Sequence, residues 1–94
     1  MDADHVGRVD DALTETTISI YVKFSEGVVH QATFRTLGCS ACIASSSVMT
    51  ELLIGKNSAP SAAEVEAVLG GLPEDKHYCA ELVAEAARRA LEAV

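Results

Sequence analysis

The chain has 94 residues and a formal charge of −7, with 49% hydrophobic residues, 4% aromatics and no tryptophan. A surface that tracks phosphate needs clustered lysine and arginine, so nucleic acid is excluded as a partner and an anionic membrane surface is disfavoured. No apolar run approaches the roughly 18 residues needed to cross a bilayer, which leaves basic partners and metal cations as the ligands this charge suits.

Taken in chain order, "HVGRV" at residues 5–9 predicts a short strand. "TTISIYVKF" alternates, with Ile18, Ile20, Val22 and Phe24 on one face and Thr17, Ser19, Tyr21 and Lys23 on the other, the pattern of a half-buried strand. "SEG" turns the chain at residues 25–27 into "VVHQATFRTLG", a second hairpin strand with Val28, Ala32 and Phe34 inward and Gln31, Thr33 and Arg35 outward.

After Gly38 the period becomes helical. Ala44, Val48 and Leu52 with Ile43, Met49 and Leu53 give apolar neighbours one turn apart, and Gly55 is a natural stop. "NSAPSAAEVEAVLGG" carries a capping box, Ser61 with Glu64, ahead of Val65, Val68 and Leu69. A last helix is expected from about Ala80 to the end, with Leu82, Val83, Ala86, Ala90 and Leu91 inward and Glu85 and Arg89 paired outside. Strands precede helices, which predicts an α+β fold: a small antiparallel sheet of two to three strands, then three or more helices packed on one face. Residues 1–94 are the size of a single domain.

The acidic opening "MDADHVGRVDD" does not read as a secretion signal. Three cysteines cannot all pair within one chain, so free thiols in a reducing, cytoplasmic setting are expected. "TLGCSACIASSS" sets Cys39 and Cys42 three apart where a strand gives way to a helix, and "DKHYCAEL" sets Cys79 at the start of the last helix. Unpaired N–H groups and the helix dipole favour thiolate at such positions, the form that binds metal and attacks sulfur. His77 adds an imidazole two residues before Cys79. Sulfur with one nitrogen is a reasonable shell for zinc, iron or an iron–sulfur cluster. One CxxC without a second is a weak signal, and free cysteine is also a common buried small hydrophobe, a description that suits Cys42 in particular. His30 and His5 on strands read as ordinary surface or partly buried residues.

"FRTLGCSACIASSSVMTELLIGK" strongly resembles the segment around the second cysteine of the NifU/IscU family of iron–sulfur cluster assembly scaffolds. "GLPEDKHYCAELVAEAARRALEAV" resembles the family's third cysteine segment, and "DADHVGRVDDALTETTISIYVKFSEG" aligns without gaps to its opening strand, loop and second strand. The resemblance covers nearly the whole chain apart from a family N-terminal helix. It places the family's second and third site cysteines on Cys39 and Cys79. The family's Cys-Gly-Asp falls on Thr14-Glu15-Thr16, so the first cysteine and the aspartate are replaced. The family histidine falls on Tyr78, with His77 one residue earlier, and Cys42 stands where familiar members have alanine. Tyr78 is expected at an interface or as a phenol capping the site. Lys76 matches a lysine in a loop that resembles a docking motif for an Hsp70-type chaperone, but Glu74 and Asp75 replace its proline and valine, which puts chaperone docking in doubt.

What the resemblance implies is a non-enzymatic scaffold or carrier. Sulfur would come as persulfide from a cysteine desulfurase, with Cys79 as the accessible nucleophile. Iron or a [2Fe–2S] cluster would sit on Cys39, Cys79 and Cys42, with His77, Tyr78 or an external ligand as fourth, and the cluster would pass to apo iron–sulfur proteins. In this view Cys42 compensates for the lost cysteine; the alternative keeps Cys42 in the core. Two other functions stand beside it: a zinc- or iron-binding sulfur-relay module using Cys39, Cys42, Cys79 and His77, or a degenerate regulatory homologue that binds the desulfurase without building clusters. A homo-oligomer sharing one cluster is compatible with each ligand set.

Overall fold

The computed structural model describes residues 4–73 and 76–92. Glu74 and Asp75, the two acidic residues of the loop before Lys76, lie outside the described residues. Three strands, β1 (His5–Asp11), β2 (Thr16–Ser25) and β3 (Val28–Leu37), are followed by α1 (Ser40–Leu53), α2 (Ala62–Leu69) and α3 (His77–Glu92). The sheet is antiparallel in the order β1-β2-β3, so the α+β expectation holds and "HVGRV" is an edge strand.

Alternation in β2 decides which sheet face is covered. Ile18, Ile20 and Val22 are fully buried, and their β1 partners Val9 and Gly7 face the same way. Each fully buried Ile side chain contributes on the order of 1.5–3 kcal/mol. Helix α3 crosses this face so closely at β1 that a Cβ on Gly7 would lie 1.9 Å from the Ala86 carbonyl oxygen. Only glycine permits that approach. Helix α1 packs beside it over β3, and α2 leans on both helices. Its predicted capping box is present: Glu64 N–H donates to the Ser61 hydroxyl and Ser61 N–H to the Glu64 carboxylate, and Gly70 closes the helix at φ 81°.

Two expected faces are corrected. Val29, at 1% exposed, is the core residue at the start of β3, whereas Val28 is only half-buried. The pairing shifts from Lys23↔Gln31 to Phe24↔Val29, leaving His30 as an extra, exposed residue that reverses the strand's phase. Val29 also exchanges backbone bonds with the end of α1, its N–H donating to Lys56 at 2.8 Å and its carbonyl accepting from Gly55 at 2.8 Å. In α1 the buried stripe is Cys42, Ser45, Ser46, Met49, Thr50 and Leu53, while Ile43 and Ala44 are exposed. Small hydroxyl residues occupy this stripe at little cost because Ser45 and Ser46 donate to the carbonyls of Ala41 and Cys42, each at 2.8 Å. Helix α3 begins three residues earlier than expected, at His77, and buries Cys79, Ala80, Val83, Ala86, Ala87 and Ala90. Leu82 and Leu91 are half-buried at its flanks. Outside, Glu85 pairs more closely with Arg88 than with Arg89, whose Nε is 4.0 Å away.

Candidate metal centre

Cys39 is the N-cap of α1, with extended backbone at φ −78°, and its carbonyl accepts from Cys42 and Ile43 at 3.0 and 3.2 Å. Cys42 lies one turn in and faces the sheet. Cys79, in the first turn of α3, arrives from the other side because α1 and α3 pack against each other with their starts at the same end of the sheet. The three sulfurs converge: Cys39 Sγ is 3.7 Å from Cys42 Sγ and 3.8 Å from Cys79 Sγ, and all three lie within 4.8 Å of one another. All are free thiols.

Spacing alone makes this a fitting donor set. Thiolates about 2.3 Å from a tetrahedral zinc stand about 3.8 Å apart along each edge, which the Cys39 contacts match without rearrangement. Three soft donors suit zinc, ferrous iron or an iron–sulfur cluster, and they leave a fourth position to something else. His77 is not in the converged group; its exposed Nδ1 engages the Glu66 carboxylate of α2. His30 is exposed on β3, and His5 stacks edgewise on Phe24 with centroids 5.3 Å apart.

The thiols differ sharply. Cys42 and Cys79 are fully buried, whereas Cys39 is partly open to solvent. Burial pushes the Cys39 thiol up, but the Cys42 backbone N–H, the Tyr78 hydroxyl and the thiols of Cys42 and Cys79 outweigh it and bring its pKa down to about 6. Burial pushes the Cys79 thiol well up, and its contacts with Cys42 and Cys39 push it further. Cys42 is also raised, first by burial, with the Cys39 charge adding to it while Cys79 and the Thr16 hydroxyl work in the other direction. Tyr78 Oη stands 3.8 Å from Cys39 Sγ, and that hydrogen bond is the main reason its phenol is held protonated. The expectation that Cys79 offers the accessible nucleophile is therefore corrected: the open, acidic thiol is Cys39.

The replaced family positions keep their backbone. Glu15, where the resemblance expects glycine, adopts φ 53°, the left-handed region that glycine enters freely. Thr14 is drawn away from the sulfurs, its hydroxyl donating to Asp11 at 2.8 Å. Thr16 is 2% exposed and packs under the thiols, against Gly38, where a Cβ would meet its side chain at 3.2 Å. Its hydroxyl touches the Cys42 sulfur. Two residues before Ile18, Thr16 shares the core face of β2, so period-two alternation was a signal for its place. Lys76 Nζ lies 5.9 Å from the centroid of the Tyr78 ring, a cation over the phenol that faces Cys39.

At this end of the molecule Leu13 is 95% and Leu37 67% exposed. A separate cleft of about 470 Å³ between the start of α2 and α3, lined by Ala59, Pro60 and Arg88 among others, contains none of the thiols. Among the described residues no helix is long and apolar enough to cross a membrane.

The sequence model for the NifU-like N terminal domain matches residues 2–94. The chain is 38% identical over 94 residues to "Iron-sulfur cluster assembly scaffold protein IscU 1" of Archaeoglobus fulgidus, an alignment covering 96% of this chain and 61% of that protein. It is 33% identical over 78 residues to "Nitrogen fixation protein NifU" of Nostoc, covering 79% of this chain and 26% of that one. Among solved structures, a scaffold protein for the SUF system from Fervidobacterium islandicum shares the fold at TM-score 0.66 and 18% identity, over 96% of this chain and 82% of that one. The N-terminal part of a NifU-like protein from Brucella abortus matches at TM-score 0.51 and 26% identity, over 94% and 65%. The chain thus spans about three-fifths or less of the length of these two curated relatives.

Proposed function

The chain belongs to the NifU-like N-terminal domain family, and from that premise we propose that it acts as a single domain that scaffolds or carries iron–sulfur clusters, its cargo held by Cys39, Cys42 and Cys79. One observation carries this reading: three thiols from two helices meet with Cys39 Sγ 3.7 and 3.8 Å from the other two. Cys42 is the element that makes the site possible, because it restores a third sulfur where Thr14 replaces the family's first cysteine. The set is open on the Cys39 side, which suits cargo that must be delivered and handed on. A fourth donor comes from a partner, a second copy of the chain or a small thiol. The chain turns over no substrate of its own.

A cysteine desulfurase supplies sulfur and apo iron–sulfur proteins receive the cluster, docking on the rim marked by exposed Leu13 and Leu37. Sulfur arrives at Cys39, the one thiol open to solvent. A reducing compartment such as the cytoplasm keeps the thiols free.

Anaerobic reconstitution with ferrous iron and sulfide tests this proposal by absorbance and by counting bound iron and sulfide. Visible charge-transfer absorbance with bound iron and sulfide supports it, and Cys42→Ala is expected to lose most of that loading. Unchanged loading in Cys42→Ala removes Cys42 from the ligand set. The same sulfur spacing suits zinc, so protein that takes zinc and stays colourless throughout overturns cluster assembly in favour of a zinc-binding sulfur relay. Failure to hold any metal favours a regulatory homologue.

A further inference from the structure

Sulfur delivered as persulfide is sulfane sulfur, two electrons short of the sulfide a cluster contains. From the arrangement of Cys39 and Cys42 we infer that this chain reduces that sulfur itself, with Cys42 attacking a persulfide formed on Cys39 and expelling sulfide. The inference rests on reading the thiol site as the place where sulfur is received.

Cys39 is partly open and Cys42 is fully buried behind it, 3.7 Å away. A donor in solvent reaches Cys39 and is shielded from Cys42. In the first step the Cys39 sulfur attacks the terminal sulfur of a persulfide R–S–SH, forming a Cys39 S–S bond and releasing R–S⁻. The added sulfur lies on the solvent side. Cys42 then approaches Cys39 Sγ from the protein side, opposite the sulfur that must leave, which is the in-line geometry that sulfur exchange requires. The Cys42–Cys39 bond forms, the bond to the outer sulfur breaks, and the proton from Cys42 departs with it as HS⁻. The two cysteine sulfurs lose one electron each and the sulfane sulfur gains two. A dithiol reductant returns the disulfide to two thiols.

Cys79 lies as near to Cys39, at 3.8 Å, but the two cysteines differ in how they are attached. Cys42 is one turn along the helix that Cys39 caps, so contraction to a disulfide of about 2.05 Å needs side-chain rotation only. Cys79 is carried by α3, which is fixed at β1 by the contact of Ala86 and Ala90 with Gly7. Cys42 stands where family members have alanine, so the reaction distinguishes this chain from a scaffold that relies on an external electron donor.

The test uses the reduced, metal-free full chain mixed anaerobically with one equivalent of glutathione persulfide, quenched with a thiol alkylator. Released sulfide is measured beside tryptic masses. Cys39 and Cys42 share the peptide Thr36–Lys56 and Cys79 lies in His77–Arg88, so the two possible disulfides separate by mass. The expected result is about one sulfide per chain and an internal disulfide in Thr36–Lys56, with Cys42→Ala and Cys42→Ser each accumulating Cys39 persulfide and releasing at least tenfold less sulfide. A lasting persulfide on the unaltered chain, equal release from either variant, or a cross-link between the two peptides would overturn the inference. Disulfide mapping in the unaltered chain decides even if both variants misfold. Metal is absent throughout, so failure here leaves reconstitution with preformed sulfide untouched, and loss of loading there leaves this outcome intact.

Discussion

Thr36 Oγ1 and Ser46 Oγ lie 2.7 Å apart, joining the end of β3 to the second turn of α1 across the loop that presents Cys39. Ser46 is fully buried and also donates to the Cys42 carbonyl at 2.8 Å. The pair therefore holds both ends of the Cys39–Cys42 segment in place.

Ser46→Ala removes both bonds and leaves the Thr36 hydroxyl without its partner. A loss of about 1–3 kcal/mol is expected in urea unfolding. Adding Thr36→Val to Ser46→Ala recovers part of it, because a removed pair costs less than a broken one. A double-mutant cycle showing strict additivity would place the Thr36–Ser46 bond outside the folded state's energetics.

Gly7→Ala tests the contact that seats α3. Its Cβ would lie 1.9 Å from the Ala86 carbonyl and 2.4 Å from the Ala90 nitrogen, both backbone atoms that no rotamer change can move. The helix must shift, at a cost of about 1–3 kcal/mol or more, and Cys79 moves with it. Thermal unfolding should fall and the cobalt(II)–thiolate absorbance of the loaded protein should weaken together. A Gly7→Ala protein with normal stability would contradict this packing.

Most of the fold was legible in the sequence for identifiable reasons. Alternation placed Ile18, Ile20 and Val22, and the Ser61–Glu64 spacing placed the start of α2. The phase of β3 was not legible, because a bulge at His30 is set by how Val29 bonds to Gly55 and Lys56 of a distant segment. The buried side of α1 was misjudged for a different reason. Ser45, Ser46 and Thr50 occupy it, and their polarity hides the stripe until their bonds to local carbonyls are seen.

The site was legible in part. Cys39 and Cys79 were paired by resemblance, and the meeting of Cys42 with them follows from its position one turn into α1. The exposure of Cys79 was misjudged although the sequence held the signal: Cys79, Val83, Ala86 and Ala90 form one helical stripe, so its sulfur shares the core face. His77, one side of that stripe away, is turned toward α2 and Glu66.

Alkylation rates should separate the thiols. Cys39, at about pH 6, is expected to react with iodoacetamide at a rate that climbs through that pH and levels off, while Cys42 and Cys79 stay slow until the chain unfolds. Uniform reactivity of all three, with a midpoint near that of a free thiol, would sink this assignment.

Stability has a matching pH dependence. Between about pH 6 and 9 the unfolded chain holds the Cys39 proton that the folded chain has released, so folding stability rises with pH. That contribution is present in full above the ordinary thiol value and is lost as pH falls through the folded one. Cys42 and Cys79 have the opposite sign: their raised values add stability below the ordinary thiol pKa of 9.0, which is lost as pH climbs beyond it. The thiols together therefore predict a stability maximum near pH 9 in urea midpoints, and Cys39→Ser should flatten the rise on its acid side.

Tyr78→Phe separates two roles of the phenol. Its hydroxyl is 3.8 Å from Cys39 and ranks, after the Cys42 backbone N–H, among the groups that stabilise the thiolate. Removing it should raise the midpoint of Cys39 alkylation and slow the reaction at neutral pH, since a charged sulfur loses a donor that no neighbour replaces. The aromatic ring stays, and with it the cation contact of Lys76, so a surface that recognises a partner through the ring should bind as before. An unchanged Cys39 midpoint with weakened partner binding would assign Tyr78 to the interface. A raised midpoint with intact binding places it in the electrostatics of the sulfur site, where the hydroxyl sets how much of Cys39 is thiolate when sulfur or metal arrives.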